Sequence, residues 1–144
     1  MVKDNIYIEK DIDTVYQFVE KALCQTFKTS PGKLLNRKHT HQLSSGRNKG
    51  VKFEQTVIAQ LKNETLAFTS TFSDDTITTT YVFEAYEDGG TFVTLMEDAK
   101  SSKTFRNYNY KLLSLPILRG MSLKKIRMQL ARLKVTIEEG EKAE

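Results

Sequence analysis

The sequence predicts an α+β fold, a curved antiparallel sheet of about six or seven strands covered by a long, kinked C-terminal helix. Three observations carry that expectation. Apolar residues recur at Leu123, Ile126, Leu130, Leu133 and Ile137, alternately three and four residues apart. That spacing is one stripe on a helix of about 3.6 residues per turn. Residues 51–61 alternate between apolar and polar, the period of a half-buried strand. Asn63-Glu64 and Asp88-Gly89-Gly90 interrupt runs rich in Thr, Tyr, Val and Phe, as turns between antiparallel neighbours do.

Taken in order, Ile6-Tyr7-Ile8 reads as a first strand. Asp11 or Asp13 then offers a side-chain oxygen to cap a helix, whose apolar face is Ile12, Val15, Phe18, Val19, Ala22 and Leu23. Thr29-Ser30-Pro31-Gly32 ends it, because proline cannot continue the hydrogen-bond ladder and glycine favours a turn. Gln25 to Lys28 is either a continuation or a second short helix. Leu34 to Leu43 is polar and weakly strand-like, and Gly46 to Gly50 is a glycine-bounded basic turn.

Between Val51 and Leu61 the odd positions are apolar except Gln55, and the even positions polar except Ile58. After the Asn63-Glu64 turn, Leu66, Phe68 and Phe72 share one face of the next strand. Asp74-Asp75 turns again, Ile77 to Glu87 returns, and Thr91 to Glu97 completes a meander. The last helical stretch begins near Lys103. Within it Pro116 removes a backbone donor, and Gly120 costs about 1 kcal/mol relative to alanine. A break is expected there, with Ser122 capping the second segment. That second segment is the structural lid, and Phe105 to Gly120 is where mobility and an entrance are expected.

Residues 1–144 are expected to form one domain, long enough to bury a core. Hydrophobic residues make up 39% of the chain, and no apolar run approaches the roughly 18 residues of a membrane helix. No apolar core of a signal peptide follows Met1 to Asn5. Both features point to the cytoplasm. The single cysteine, Cys24, excludes an internal disulfide and reads as a small packed side chain beside Leu23 and Phe27. Asn63-Glu64-Thr65 matches a glycosylation triplet, but without a secretion signal it reads as coincidence.

The net charge of +4 conceals three blocks. Lys21 to Lys52 holds eight bases and no acids; Glu54 to Asp98 holds nine acids and one base, Lys62; Lys100 to Lys134 holds ten bases and no acids. One reading is a basic surface for an anion, a nucleic acid, an acidic lipid headgroup or an acidic protein partner, with Lys124, Lys125 and Arg127 as its candidates. The other is a charged helix complementing an acidic sheet. The bases lie between the apolar positions, as on any solvated helix face, and exposed aromatics do not interleave them, which argues against nucleic acid.

His39 and His41 are two apart, so on a strand both rings share a face. They are either half of a metal or acid/base site or two exposed rings beside Arg37 and Lys38. The second reading is favoured, since no further ligand follows at metal spacing. Asp74-Asp75 and Glu97-Asp98 are paired acids placed at turns and strand ends. No phosphate-binding loop, dinucleotide glycine motif, nucleophile elbow or paired-cysteine box is present. No catalytic residue, cofactor or metal is therefore assigned.

Three stretches resemble a known superfamily. Gly50-Val51-Lys52-Phe53-Glu54-Gln55-Thr56 through Asn63-Glu64-Thr65-Leu66-Ala67-Phe68 looks like the paired central strands of the START-related, birch-pollen-allergen-like proteins (SRPBCC). Thr80-Tyr81-Val82-Phe83-Glu84 with Gly89-Gly90-Thr91-Phe92-Val93-Thr94 is similar to their late hairpin. Ile12-Asp13-Thr14-Val15-Tyr16-Gln17-Phe18-Val19 is similar to their first helix. The closest likeness is to an uncharacterised branch from Gram-positive bacteria.

The resemblance implies the helix-grip fold, with a cavity between sheet and C-terminal helix where members bind lipids, sterols, polyketides or hormones; some are cyclases. It carries over no catalytic residue. Candidate cavity liners, chosen by chemistry, are Phe53, Phe68, Phe72, Tyr81, Phe83, Phe92 and Met96 on the strands and Leu112, Leu115 and Met121 on the helix. The leading expectation is a binder of an apolar or amphipathic small molecule. An interaction module using the basic C-terminal region and a cyclase- or hydrolase-type enzyme are the alternatives.

Overall fold

The computed structural model describes residues 1–42, 52–72, 75–101 and 123–140. The expected turn at Gly46 to Gly50, the segment from Phe105 to Gly120 with Pro116, and the Ser122 cap lie outside the described residues. So do Asp74, Leu112, Leu115, Met121 and the side chain of Phe72.

The order is β1 (Val2–Ile8), α1 (Ile12–Phe27), β2 (Lys38–Gln42), β3 (Lys52–Leu61), β4 (Thr65–Phe72), β5 (Asp75–Ala85), β6 (Thr91–Ser101) and α2 (Leu123–Gly140). The strands form one antiparallel sheet in the order β1-β6-β5-β4-β3-β2. Strands β2 to β6 are the expected meander, and β1 lies beside β6 at the far edge.

Asp11, rather than Asp13, caps α1. It accepts from the Thr14 backbone N–H at 3.4 Å and the Thr14 hydroxyl at 2.6 Å, satisfying donors that a helix start leaves open. Gln25 to Phe27 continue the same helix. Lys28 ends it in the left-handed region at φ 54°, and the Thr29 N–H returns to the Cys24 carbonyl at 3.0 Å.

Both helices lie on one face of the sheet, the inner face. From α1, Val15, Tyr16, Val19, Leu23 and Phe27 are buried; Tyr16 meets Phe83 edge-on with ring centroids 5.3 Å apart. From α2, Ile126, Leu130 and Ile137 are buried, three positions of the stripe read from the sequence. Arg127 Nε reaches Asp4 Oδ2 on β1 at 2.8 Å. Lys134 donates to the Tyr7 carbonyl and to Glu138, and Glu138 accepts the Glu9 N–H at 2.8 Å. These bonds fix α2 along the β1 edge.

One alternation breaks. The β3–β4 register shifts between Val57 and Ala59, a β-bulge. Phe53, Gln55 and Val57 face inward; after the bulge Gln60, opposite buried Leu66, is the inward residue. Ile58 and Leu61 are left 48% and 54% exposed. One extra residue in a strand exchanges the faces of everything beyond it.

Candidate functional site

Polar side chains cross the inner face in a band. His39 and His41 on β2 are both half-buried there, with ring centroids 4.0 Å apart and planes at 84°. This corrects the expectation of two exposed rings. His41 stacks on Phe53 at 4.8 Å and lies opposite it in the ladder. Its Nε2 is 2.7 Å from Gln55 Oε1, and Gln55 Nε2 donates to Ser70 Oγ at 3.1 Å. Because the Gln55 amide nitrogen is directed at Ser70, its oxygen accepts, so the His41 Nε2 carries the proton. Burial holds His39 below the usual imidazole range, and the neighbouring His41 and Lys28 add to that.

The band ends at Glu97. Thr79 and Glu97 are direct partners across β5 and β6, and both are buried. Glu97 is 9% exposed. Burial raises its carboxyl above the usual range, and Lys125 on α2 pulls the other way. The Tyr81 hydroxyl is likewise raised, by burial and then by the Glu97 charge. From sequence, Glu97 is expected at a strand end. The strand instead runs to Ser101, and Thr91, Val93, Leu95 and Glu97 all point inward and are buried. Continuing the alternation past Leu95 identifies this residue.

Next to that acid lies a groove of about 210 Å³ between α1, α2 and the sheet. Phe18, Tyr81, Leu95, Leu130, Leu133 and Thr136 line it. Its exposed wall is mostly apolar, Gln129, Arg132 and Thr136 add polar groups from α2, and Tyr81 is the residue it shares with the polar band.

Among the expected liners, Tyr81 is in the groove. Phe53 and Phe68 are half-buried on the inner face, against His41 and Phe27 respectively. Phe83 is buried beneath Tyr16 and is core. Phe92 and Met96 are corrections. Both lie on the outer face, because inward positions on β6 are odd-numbered. Phe92 packs there on Tyr7 at 5.2 Å and Tyr86 at 5.3 Å. Lys124, Lys125 and Arg127 are exposed at the start of α2, with Arg127 engaged by Asp4. Among the described residues no cluster of three His, Cys, Asp or Glu has metal-binding geometry, and no helix is long and apolar enough to cross a membrane.

A family model described as a domain of unknown function, DUF3284, matches residues 3–118. The chain belongs to the DUF3284 family. No curated protein matches this DUF3284 chain. Solved structures do. The Polyketide_cyc-like protein Cgl2372 from Corynebacterium glutamicum is 15% identical with a TM-score of 0.63, over 96% of this chain and 91% of that one. The protein of unknown function SA2116 from Staphylococcus aureus is 17% identical with a TM-score of 0.61, over 98% and 96%. The Aha1 dimer from Colwellia psychrerythraea is 15% identical with a TM-score of 0.55, over 97% of each chain. At these identities the likeness is one of fold, and the fold is helix-grip.

Proposed function

We propose that this DUF3284 protein is one helix-grip domain that binds a small amphipathic molecule between the sheet and α2. The apolar part of the ligand lies in the groove on Leu95, Leu130 and Leu133, and its polar group meets the Tyr81 hydroxyl and the Glu97 carboxyl. The observation that carries this reading is the buried acid beside an apolar groove. A buried carboxyl costs stability unless it is paired, and binding sites join apolar walls to a few polar groups. The groove, about 210 Å³, is below the ~300–1,000 Å³ of drug-sized ligand sites, so the ligand is compact. Native mass spectrometry of the purified protein, followed by extraction, tests this. A retained small molecule that Leu133→Trp abolishes is the expected result; a protein carrying nothing in both forms contradicts it.

The same acid supports a second reading, in which Glu97 donates a proton to the bound molecule. Burial raises the Glu97 carboxyl above the usual range, and a raised carboxyl is the direction general acid chemistry uses. In that case Glu97→Gln keeps the molecule bound but stops its conversion.

A further inference from the structure

A larger cavity than the groove lies elsewhere. It is a crevice of about 810 Å³ on the flank of α1 opposite Phe18. Tyr16, Glu20 and Cys24 form its floor from successive turns of α1, Gly32 closes one end, and Lys21 and Lys62 stand exposed at its rim.

Glu20 is the unusual member. It is 8% exposed and lines the crevice. Three donors converge on one of its oxygens, Oε2: Gln60 Nε2 at 2.8 Å, the Gly32 N–H at 3.2 Å and the Tyr16 hydroxyl at 3.5 Å. Gln60 is turned toward it by the β3 bulge and is held there, because its Oε1 accepts the Leu34 and Leu35 N–H groups at 3.0 and 3.2 Å. The carboxylate is thus fixed from α1, β3 and the turn after α1. None of the three donors goes to Oε1. A carboxylate has about four acceptor positions, and a cationic donor makes the stronger, charge-assisted bond to them. Beside it Tyr16 and Cys24 give an apolar wall; burial and the Glu20 charge keep the thiol protonated.

We propose that this crevice is a second ligand site, for a small zwitterion of the ω-amino acid class. The ammonium group bonds Glu20, the methylene chain lies on Tyr16 and Cys24, and the carboxylate reaches Lys21 and Lys62. The charge order decides the class: an anion at the floor rejects a fatty acid lying head-in, and two cations at the rim gain a charge-assisted bond from a carboxylate that the uncharged end of a simple amine cannot make.

The test is a ¹H–¹⁵N titration of the full chain with γ-aminobutyrate and ε-aminocaproate, with caproate and hexylamine as controls. Saturable shifts in residues 17–32 and 60–62 are expected for at least one amino acid, and weaker or no shifts for the controls. Glu20→Gln keeps an acceptor for the three donors, so the fold persists while affinity falls roughly tenfold or more. Lys21→Ala with Lys62→Ala, both at exposed positions, also weakens binding. No saturable shifts with either amino acid, caproate binding as well as ε-aminocaproate, or affinity unchanged in both variants would overturn the proposal.

Discussion

Glu97 stands directly across the β5–β6 ladder from Thr79, buried on the face that the two helices cover. Its carboxyl is raised by burial, which fixes a sign. As pH rises, the unfolded chain gives up this proton first, so the folded state is penalised above the usual carboxyl range and is not penalised well below it. Glu97→Gln is therefore expected to raise Tm near pH 7 (roughly neutral), with the difference disappearing at about pH 3–4, below the model-peptide range. Thermal melts of both proteins at the two pH values decide this. Equal Tm at neutral pH would mean that the charge is already compensated.

The paired histidines titrate in the opposite direction. His39 is held below its usual range by burial, His41 and Lys28. When pH falls through about 6.5, the unfolded chain binds this proton before the folded one does, and stability drops until the folded imidazole titrates. His39→Gln is expected to flatten the loss of urea midpoint between about pH 7 and 5. An unchanged slope would place the acid sensitivity elsewhere.

Gln55 joins β2 to β4 through His41 and Ser70. Its replacement by leucine removes both bonds and leaves the buried Ser70 hydroxyl without that donor, at about 1–3 kcal/mol. Chemical denaturation measures the loss. A neutral substitution would show that the band is not a structural network.

On the outer face, Gly90 packs beneath Tyr7 so closely that an added Cβ would overlap the phenol ring. The ring cannot yield freely. Its hydroxyl donates to Asp88 at 2.6 Å, the Asp88 carboxylate pushes the phenol up to about 12, and Phe92 and Tyr86 hold its sides. Gly90→Ala is expected to lower Tm by several degrees while leaving the inner-face groove intact. Spectrophotometric titration gives a second readout: Asp88→Asn should return the Tyr7 phenol toward its ordinary range.

Much of this fold is written in local periodicity. The α2 stripe, a cap at Asp11 or Asp13 and the Asn63 and Asp88 turns follow from residues a few positions apart. Three features do not. The bulge at Ile58 leaves no mark except one apolar residue at a polar position, so the inward turn of Gln60 is hidden. Placing His41, Gln55 and Ser70 in contact needs the register of three strands, which only the assembled sheet defines. Phe92 and Met96 are apolar on a strand with apolar residues on both faces, so side-chain type alone cannot choose the inner one. Glu97 was legible by parity, but an adjacent Asp98 makes the pair look like a turn.

The central proposal is that the groove beside Tyr81 accepts a compact amphipathic molecule. The most direct measurement is a ¹H–¹⁵N titration with 2-naphthol, an apolar body bearing one hydroxyl, followed in wild type and in Leu133→Trp, whose indole fills the groove. Saturable shifts at Phe18, Tyr81, Leu95 and Leu130 that the tryptophan variant abolishes are predicted. Absence of saturable shifts, or shifts that persist unchanged in Leu133→Trp, would contradict a ligand site between the sheet and α2.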